Sequence, residues 1–239
     1  MRIHFIIHEL FEGPGAFQIW AEERGHHIEY SRLYAGEALP TSPEEIDLLL
    51  VLGGPQSTTT TLEECPHFDA AAEIALINRF IQANKAVIGV CLGAQLIGEA
   101  LGARCERSPE KEIGNFPIFF TEDSKNNPKF IHFGETCTVG HWHNDMPGLT
   151  DDCTIIAYSE ACPRQIIQYN ERVYGFQCHM EFTKELIELL IAHSEAQLSE
   201  QNNNRFVQQP DQLKQYDYTL MNRHLFIFLD ELVEEIVRK

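Results

Sequence analysis

Apolar residues in this chain fall into short unbroken runs, divided by polar segments that carry glycine and proline. Ile3 to Ile7 reads as a buried first strand. Pro14 opens a helical stretch that Gly25 closes, and Ile28 to Leu33 reads as a second strand. Asp47 to Leu52 is a further apolar run that stops at Gly53-Gly54-Pro55, as a strand covered on both faces would. Pro66 to Ala83 predicts a helix, with Ile74, Ile77 and Ile81 at helical spacing. Ala86 to Val90 is a strand, and Leu92 to Leu101 a helix with Gly102 at its C′ position. Alternating strand and helix predicts an α/β fold: a doubly wound, mostly parallel central sheet flanked by helices.

From about Ile118 the pattern changes. Short strands are expected at Cys153 to Tyr158, Gln165 to Tyr169 and Val173 to Cys178, and Thr183 caps a helix running through His193. Residues 1–197 therefore read as one domain. Residues 198–215, rich in Gln and Asn and holding Pro210, read as a polar linker or loop. Residues 216–239 read as a C-terminal helix, with Met221, Leu225, Phe228, Leu232 and Ile236 packing back on the domain.

The net charge of -18 argues against nucleic acid and anionic membrane surfaces as partners. The seven cysteines are odd in number and form no CxxC pair, so neither a disulfide framework nor a structural zinc site is expected. A reducing, cytoplasmic setting fits. The opening MRIHFIIHEL is broken by His4, His8 and Glu9 and lacks a signal-peptide core. No run approaches the ~20 apolar residues of a membrane helix.

Three segments carry candidate chemistry. Gly89-Val90-Cys91-Leu92-Gly93 has the shape of a nucleophile elbow between a strand and a helix. Such a turn lifts the thiol out of the sheet, and the positive end of the following helix favours thiolate. A buried cysteine between packing glycines would look the same. The second segment holds His179 and Glu181, two apart at a strand end, so both project to one face and the carboxylate can fix the imidazole. Cys178 faces the other way and reads as core. In the third, the glycine turn at 53–54 can offer a backbone N–H to an oxyanion and Leu92 another, although a plain strand-to-loop turn has the same appearance. His141 and His143 could form a metal pair, but no third ligand stands at suitable spacing, so no metal is expected.

In this order, GGPQS (53–57), GVCLGAQLIG (89–98) and GFQCHMEFT (175–183) resemble the class-I glutamine amidotransferase domain, over about residues 45–195. That resemblance implies a flavodoxin-like class-I amidotransferase fold and hydrolysis of glutamine by a triad of Cys91, His179 and Glu181, through a thioester. It further implies Gly54 and Leu92 as the oxyanion hole and Gln95 at the substrate. The segment from His141 to Pro147 resembles the family's substrate loop, with His143 and Asp145 holding the amino-acid end. No cofactor is implied.

Gln56 and Ala94 depart from the glycine and histidine common in the family. Both positions are expected near the substrate, which widens the substrate to γ-glutamyl amides in general. Nothing after residue 195 is long enough for a synthetase domain. A separate synthetase subunit is then the expected partner if ammonia is passed on, and γ-glutamyl peptidase action on glutathione-like conjugates is the alternative. Two rivals stand beside these. One is the protease- and deglycase-like branch with a Cys elbow, which lacks the late His-x-Glu. The other is a non-catalytic binding or regulatory module of the same fold.

Overall fold

The computed structural model describes residues 1–195, 198 and 204–238. A nine-stranded sheet forms its centre. The strands are β1 (Arg2–Ile7), β2 (His27–Arg32), β3 (Leu48–Val51), β4 (Ala86–Val90), β5 (Glu106–Phe120), β6 (Thr136–Met146), β7 (Thr154–Tyr158), β8 (Ile166–Asn170) and β9 (Val173–Phe176). Their spatial order is β2-β1-β3-β4-β9-β8-β7-β5-β6. The sheet is mixed: β2, β1, β3, β4 and β9 run parallel, and the rest continue antiparallel from β9.

The helices are α1 (Ala16–Glu23), α2 (Ala70–Gln82), α3 (Leu92–Ala100), α4 (Lys184–His193), α5 (Pro210–Gln215) and α6 (Thr219–Arg238). Two hydrophobic clusters explain the unbroken apolar strands. Leu48, Leu50 and Leu52 join the cluster of Phe17 and Trp20 from α1, Leu186 from α4 and Phe228 from α6. Leu49 and Val51 join Leu76 and Phe80 from α2 and Leu96 from α3. Successive side chains enter opposite layers, so no position on β3 tolerates a polar residue.

Several boundaries differ from the expectation. The helix expected from Pro66 starts at Ala70, because Asp69 caps it by accepting from the Ala72 N–H at 3.0 Å. The stretch expected as linker holds α5 at Pro210–Gln215, since Pro210 sits at the first turn, where its missing N–H costs nothing. Within the same stretch, Ile113 N–H donates to Phe206 O at 2.8 Å, so the chain pairs with β5. Residues 199–203 of that stretch lie outside the described residues. The segment from His141 to Met146 is not a loop but the end of β6, paired antiparallel with β5. The expected C-terminal helix packs on the domain: Trp20 Nε1 donates to Asp230 at 2.8 Å, and Met221, Leu225, Phe228 and Leu232 are buried.

Candidate active site

The parallel strands all end on one side of the sheet, where ligands of open α/β sheets collect. The segments leaving β1, β3, β4 and β9 meet there, and each brings part of the site.

Cys91 follows β4 directly and caps α3. Its φ of 49° places a non-glycine residue in the left-handed region, the strained geometry of an elbow. The local sequence enforces this turn. A Cβ on Gly89 would overlap the backbone of Gly93, and one on Gly93 would overlap the Val51 carbonyl. Cys91 N–H donates to Phe176 O at 2.7 Å, tying the elbow to β9. The thiol lies 3.7 Å from Trp142 O.

β9 ends at Phe176, two residues before the expected Cys178, and His179 and Glu181 follow on a segment that bends at Gln177, Cys178 and Met180. His179 exchanges backbone hydrogen bonds with Gly140 of β6, at 2.7 and 3.2 Å, and its ring stacks on Phe182 with centroids 4.4 Å apart. Its Nδ1 meets Glu181 Oε1 at 2.6 Å, and both side chains are buried. Nε2 has no hydrogen-bond partner among the described residues. Burial works against a charged imidazole here, but Glu181 and Cys91 outweigh it, so the ring is held well above its ordinary pKa. The first residue of α1 braces the pair: Ala16 N–H donates to Glu181 O at 2.9 Å.

A cavity of about 160 Å³ opens beside the thiol. Cys91, Gly54, Leu92, Gln95, His143 and Asp145 all line it, so the fold gathers these residues from separate segments of the chain. Gln95 Nε2 donates to Gln177 Oε1 at 3.1 Å, and Asp145 lies 3.5 Å from Arg107. Gln56 also lines the cavity, and its amide donates to Glu9 at 2.7 Å. Ala94 packs against β9, with its Cβ 3.2 Å from where a Cβ on Gly175 would sit. Cys178 is buried in the core, and burial pushes its thiol well above the usual range.

The structure adds residues that sequence spacing did not offer. Glu112 of β5 stands opposite His143 of β6 and supplies a third group beside the two histidines. Its Oε2 lies 3.2 Å from His143 Nε2 and 3.6 Å from His141 Nδ1. The same oxygen accepts from Ser159 at 3.0 Å and Gln165 at 2.6 Å, while Glu112 Oε1, His141 Nδ1 and His143 Nδ1 have no hydrogen-bond partner among the described residues. Burial pushes His141 down to about 4 and keeps it neutral. Burial would raise Glu112, but the two histidines and Ser159 outweigh it and keep it ionised. Glu12 is the second addition. It lines the cavity, and burial pushes its carboxyl up to about 7 against the pull of His179 and His8. Its place just past a parallel strand's carboxyl end is the signal that could have found it.

The glutamine amidotransferase class-I family model matches residues 21–192. The chain is 57% identical over 232 residues to YfeJ of Salmonella typhimurium, named a glutamine amidotransferase-like protein, covering 97% of each. It is 29% identical over 170 residues to a component of the glutamine-hydrolysing GMP synthase of Methanococcus maripaludis, covering 65% of this chain and 81% of that one. A solved glutamine amidotransferase from Thermotoga maritima superposes with a TM-score of 0.85 at 25% identity, covering 98% of both chains. With its α/β fold and the match across most of its length, the chain belongs to the class-I glutamine amidotransferase family.

Proposed function

We propose that this chain hydrolyses the side-chain amide of a γ-glutamyl compound, with Cys91 as nucleophile, His179 as base and Glu181 as the group that orients it. The observation that carries this reading is the strained Cys91 elbow beside a buried imidazole whose other nitrogen is fixed by a carboxylate at 2.6 Å. His179 takes the thiol proton through Nε2, and Cys91 sulfur bonds to the γ-carbonyl carbon. The backbone N–H groups of Gly54 and Leu92 hold the oxyanion. His179 then returns its proton to the leaving amine, and water cleaves the thioester to free the γ-carboxyl. Gln95, His143 and Asp145 hold the amino-acid end in the cavity. No cofactor enters this chemistry.

A non-catalytic module of the same fold would have no need to keep a strained elbow and a buried charged pair, which cost stability. The leaving group is either ammonia or a larger amine, as in a γ-glutamyl peptidase, and the acyl chemistry is the same for both. The methanogen relative is one component of a GMP synthase. By that likeness, a separate synthetase subunit would receive the ammonia. The seven cysteines are all free, in keeping with a reducing cytoplasm. Among the described residues no helix is long and apolar enough to cross a membrane.

A panel of γ-glutamyl amides, assayed for free glutamate and released amine with wild type and Cys91→Ala, tests this reading. Turnover of at least one amide is expected from wild type and none from the variant. Full turnover by Cys91→Ala would exclude Cys91 as nucleophile.

A further inference from the structure

Glu181 and His179 are not the only buried carboxylate–imidazole pair beside the cavity. His8, at the end of β1, and Glu73, in the first turn of α2, are both fully buried, with Nε2 2.9 Å from Glu73 Oε2. The other ring nitrogen, Nδ1, donates to the carbonyl oxygen of Gly53 at 2.9 Å. A carbonyl can only accept, so Nδ1 carries a proton. The Glu73 bond uses a second proton, shared between carboxylate and imidazole.

The acceptor belongs to a particular peptide. Gly53 C=O and Gly54 N–H lie in one planar trans unit and point in opposite directions. Holding the oxygen on one side therefore aims the N–H on the other. Gly54 N–H has no acceptor among the described residues, and Gly54 lines the cavity with Cys91 and Leu92.

This peptide needs an external hold. With glycine on both sides, no Cβ restricts its rotation. Both glycines sit in crowded positions. A Cβ on Gly53 would overlap the Glu12 carboxylate and lie 3.3 Å from His179 Cε1, and one on Gly54 would overlap the Gln56 side-chain oxygen and lie 3.0 Å from Leu92 and 3.1 Å from His8 Cβ. The residues that let the strand approach the nucleophile thus leave its peptide free to flip. Stability does not account for the pair, because a buried ion pair gains little over apolar side chains of the same volume.

We propose that His8 and Glu73 are positioning residues: they lock the Gly53–Gly54 peptide so that the Gly54 N–H is held toward the oxyanion formed at Cys91. The catalytic part of this inference rests on the acyl-transfer reading above. Losing one oxyanion donor lowers kcat by about 10²–10³, so His8→Leu should fall by about that factor with KM little changed. His8→Asn, whose amide can still donate to Gly53 O, should recover part of the rate. Glu73→Gln should lie between His8→Leu and wild type. Alkylation of Cys91 by iodoacetamide passes through no oxyanion and should keep its wild-type rate in all three.

Unchanged kcat in His8→Leu and Glu73→Gln overturns the proposal. So does a parallel loss of kcat and alkylation rate, which would mean general damage to the site. If His8→Leu does not fold, Glu73→Gln and His8→Asn carry the same comparison. A crystal structure of whichever variant folds gives a readout that needs no substrate. The Gly53–Gly54 peptide should be rotated from its wild-type orientation, most in His8→Leu. A rotated peptide with no hydrolysis by wild type sinks the hydrolase reading and keeps the lock. An unrotated peptide overturns the lock whatever the activity.

Discussion

His179 Nδ1 and Glu181 Oε1 meet at 2.6 Å just past the end of β9, where the chain bends at Met180 and His179 is bridged to Gly140. The bond occupies Nδ1 and leaves Nε2 for the proton exchanged with Cys91. Glu181→Gln keeps the shape but lets the amide stabilise the wrong tautomer. In the serine-protease triad the matching change costs about 10⁴ in kcat. A loss of about 10²–10⁴ is expected here, with KM little altered, read by steady-state kinetics on the best γ-glutamyl amide.

Glu12 makes stability depend on pH. In the folded protein burial holds its pKa near 7, against an ordinary 4.5. Between those values the folded chain binds more protons than the unfolded chain, so this residue lowers stability as pH rises from 4.5 to 7. The groups facing it are His179, His8, Glu181 and Glu9. Glu12→Gln removes the effect. Thermal melts at pH 5 and pH 8 should show the variant gaining on wild type at the higher pH. An equal difference at both would mean that Glu12 ionises in the folded protein as it does in the unfolded chain.

The elbow glycines predict intolerance that is steric in origin. A methyl on Gly93 meets the carbonyl of Val51, which is backbone of a central strand and cannot swing aside. Gly93→Ala should cost about 3 kcal/mol or more, seen in chemical denaturation. By contrast, Gly102 has open space around its Cβ position and suffers only from its φ of 82°. Gly102→Ala should cost about 1 kcal/mol.

Asp230 joins the final helix to the first. It accepts from Trp20 Nε1 at 2.8 Å and pairs with Arg24 at 3.0 Å. The exposed Arg24 pair contributes little, whereas a buried indole N–H without an acceptor costs about 1–3 kcal/mol. Asp230→Ala should lose about that much, with a change in Trp20 fluorescence. Asp230→Asn, which still accepts, should lose less.

Much of the parallel half of the fold was legible because each element there announces itself locally. Apolar runs mark β1, β3 and β4, and glycines at 25 and 102 mark helix ends with positive φ. The elbow at Cys91 and the His179–Glu181 pair were legible for the same reason, since each is a short motif with its own geometry. The β5–β6 hairpin was not. Glu110, Lys111, Pro109 and Pro117 break the alternation of β5, and a register shift between Arg107 and Glu112 spoils its period. With the hairpin unseen, the residues after His141 read as a loop and Glu112 stayed hidden, because only strand pairing brings it to His143. His8 and Glu73 were hidden likewise. They lie 65 residues apart, and nothing local in either segment marks a partner.

Every catalytic step proposed for this site passes through an acyl bond to Cys91. Rapid quenching of wild type with its best γ-glutamyl amide, followed by peptide mass spectrometry, tests this directly. One γ-glutamyl group should be found, as a thioester on Cys91, and it should build up in Glu181→Gln if hydrolysis of the thioester becomes the slow step. Turnover with no adduct at Cys91, or an adduct on another of the seven cysteines, would contradict that chemistry.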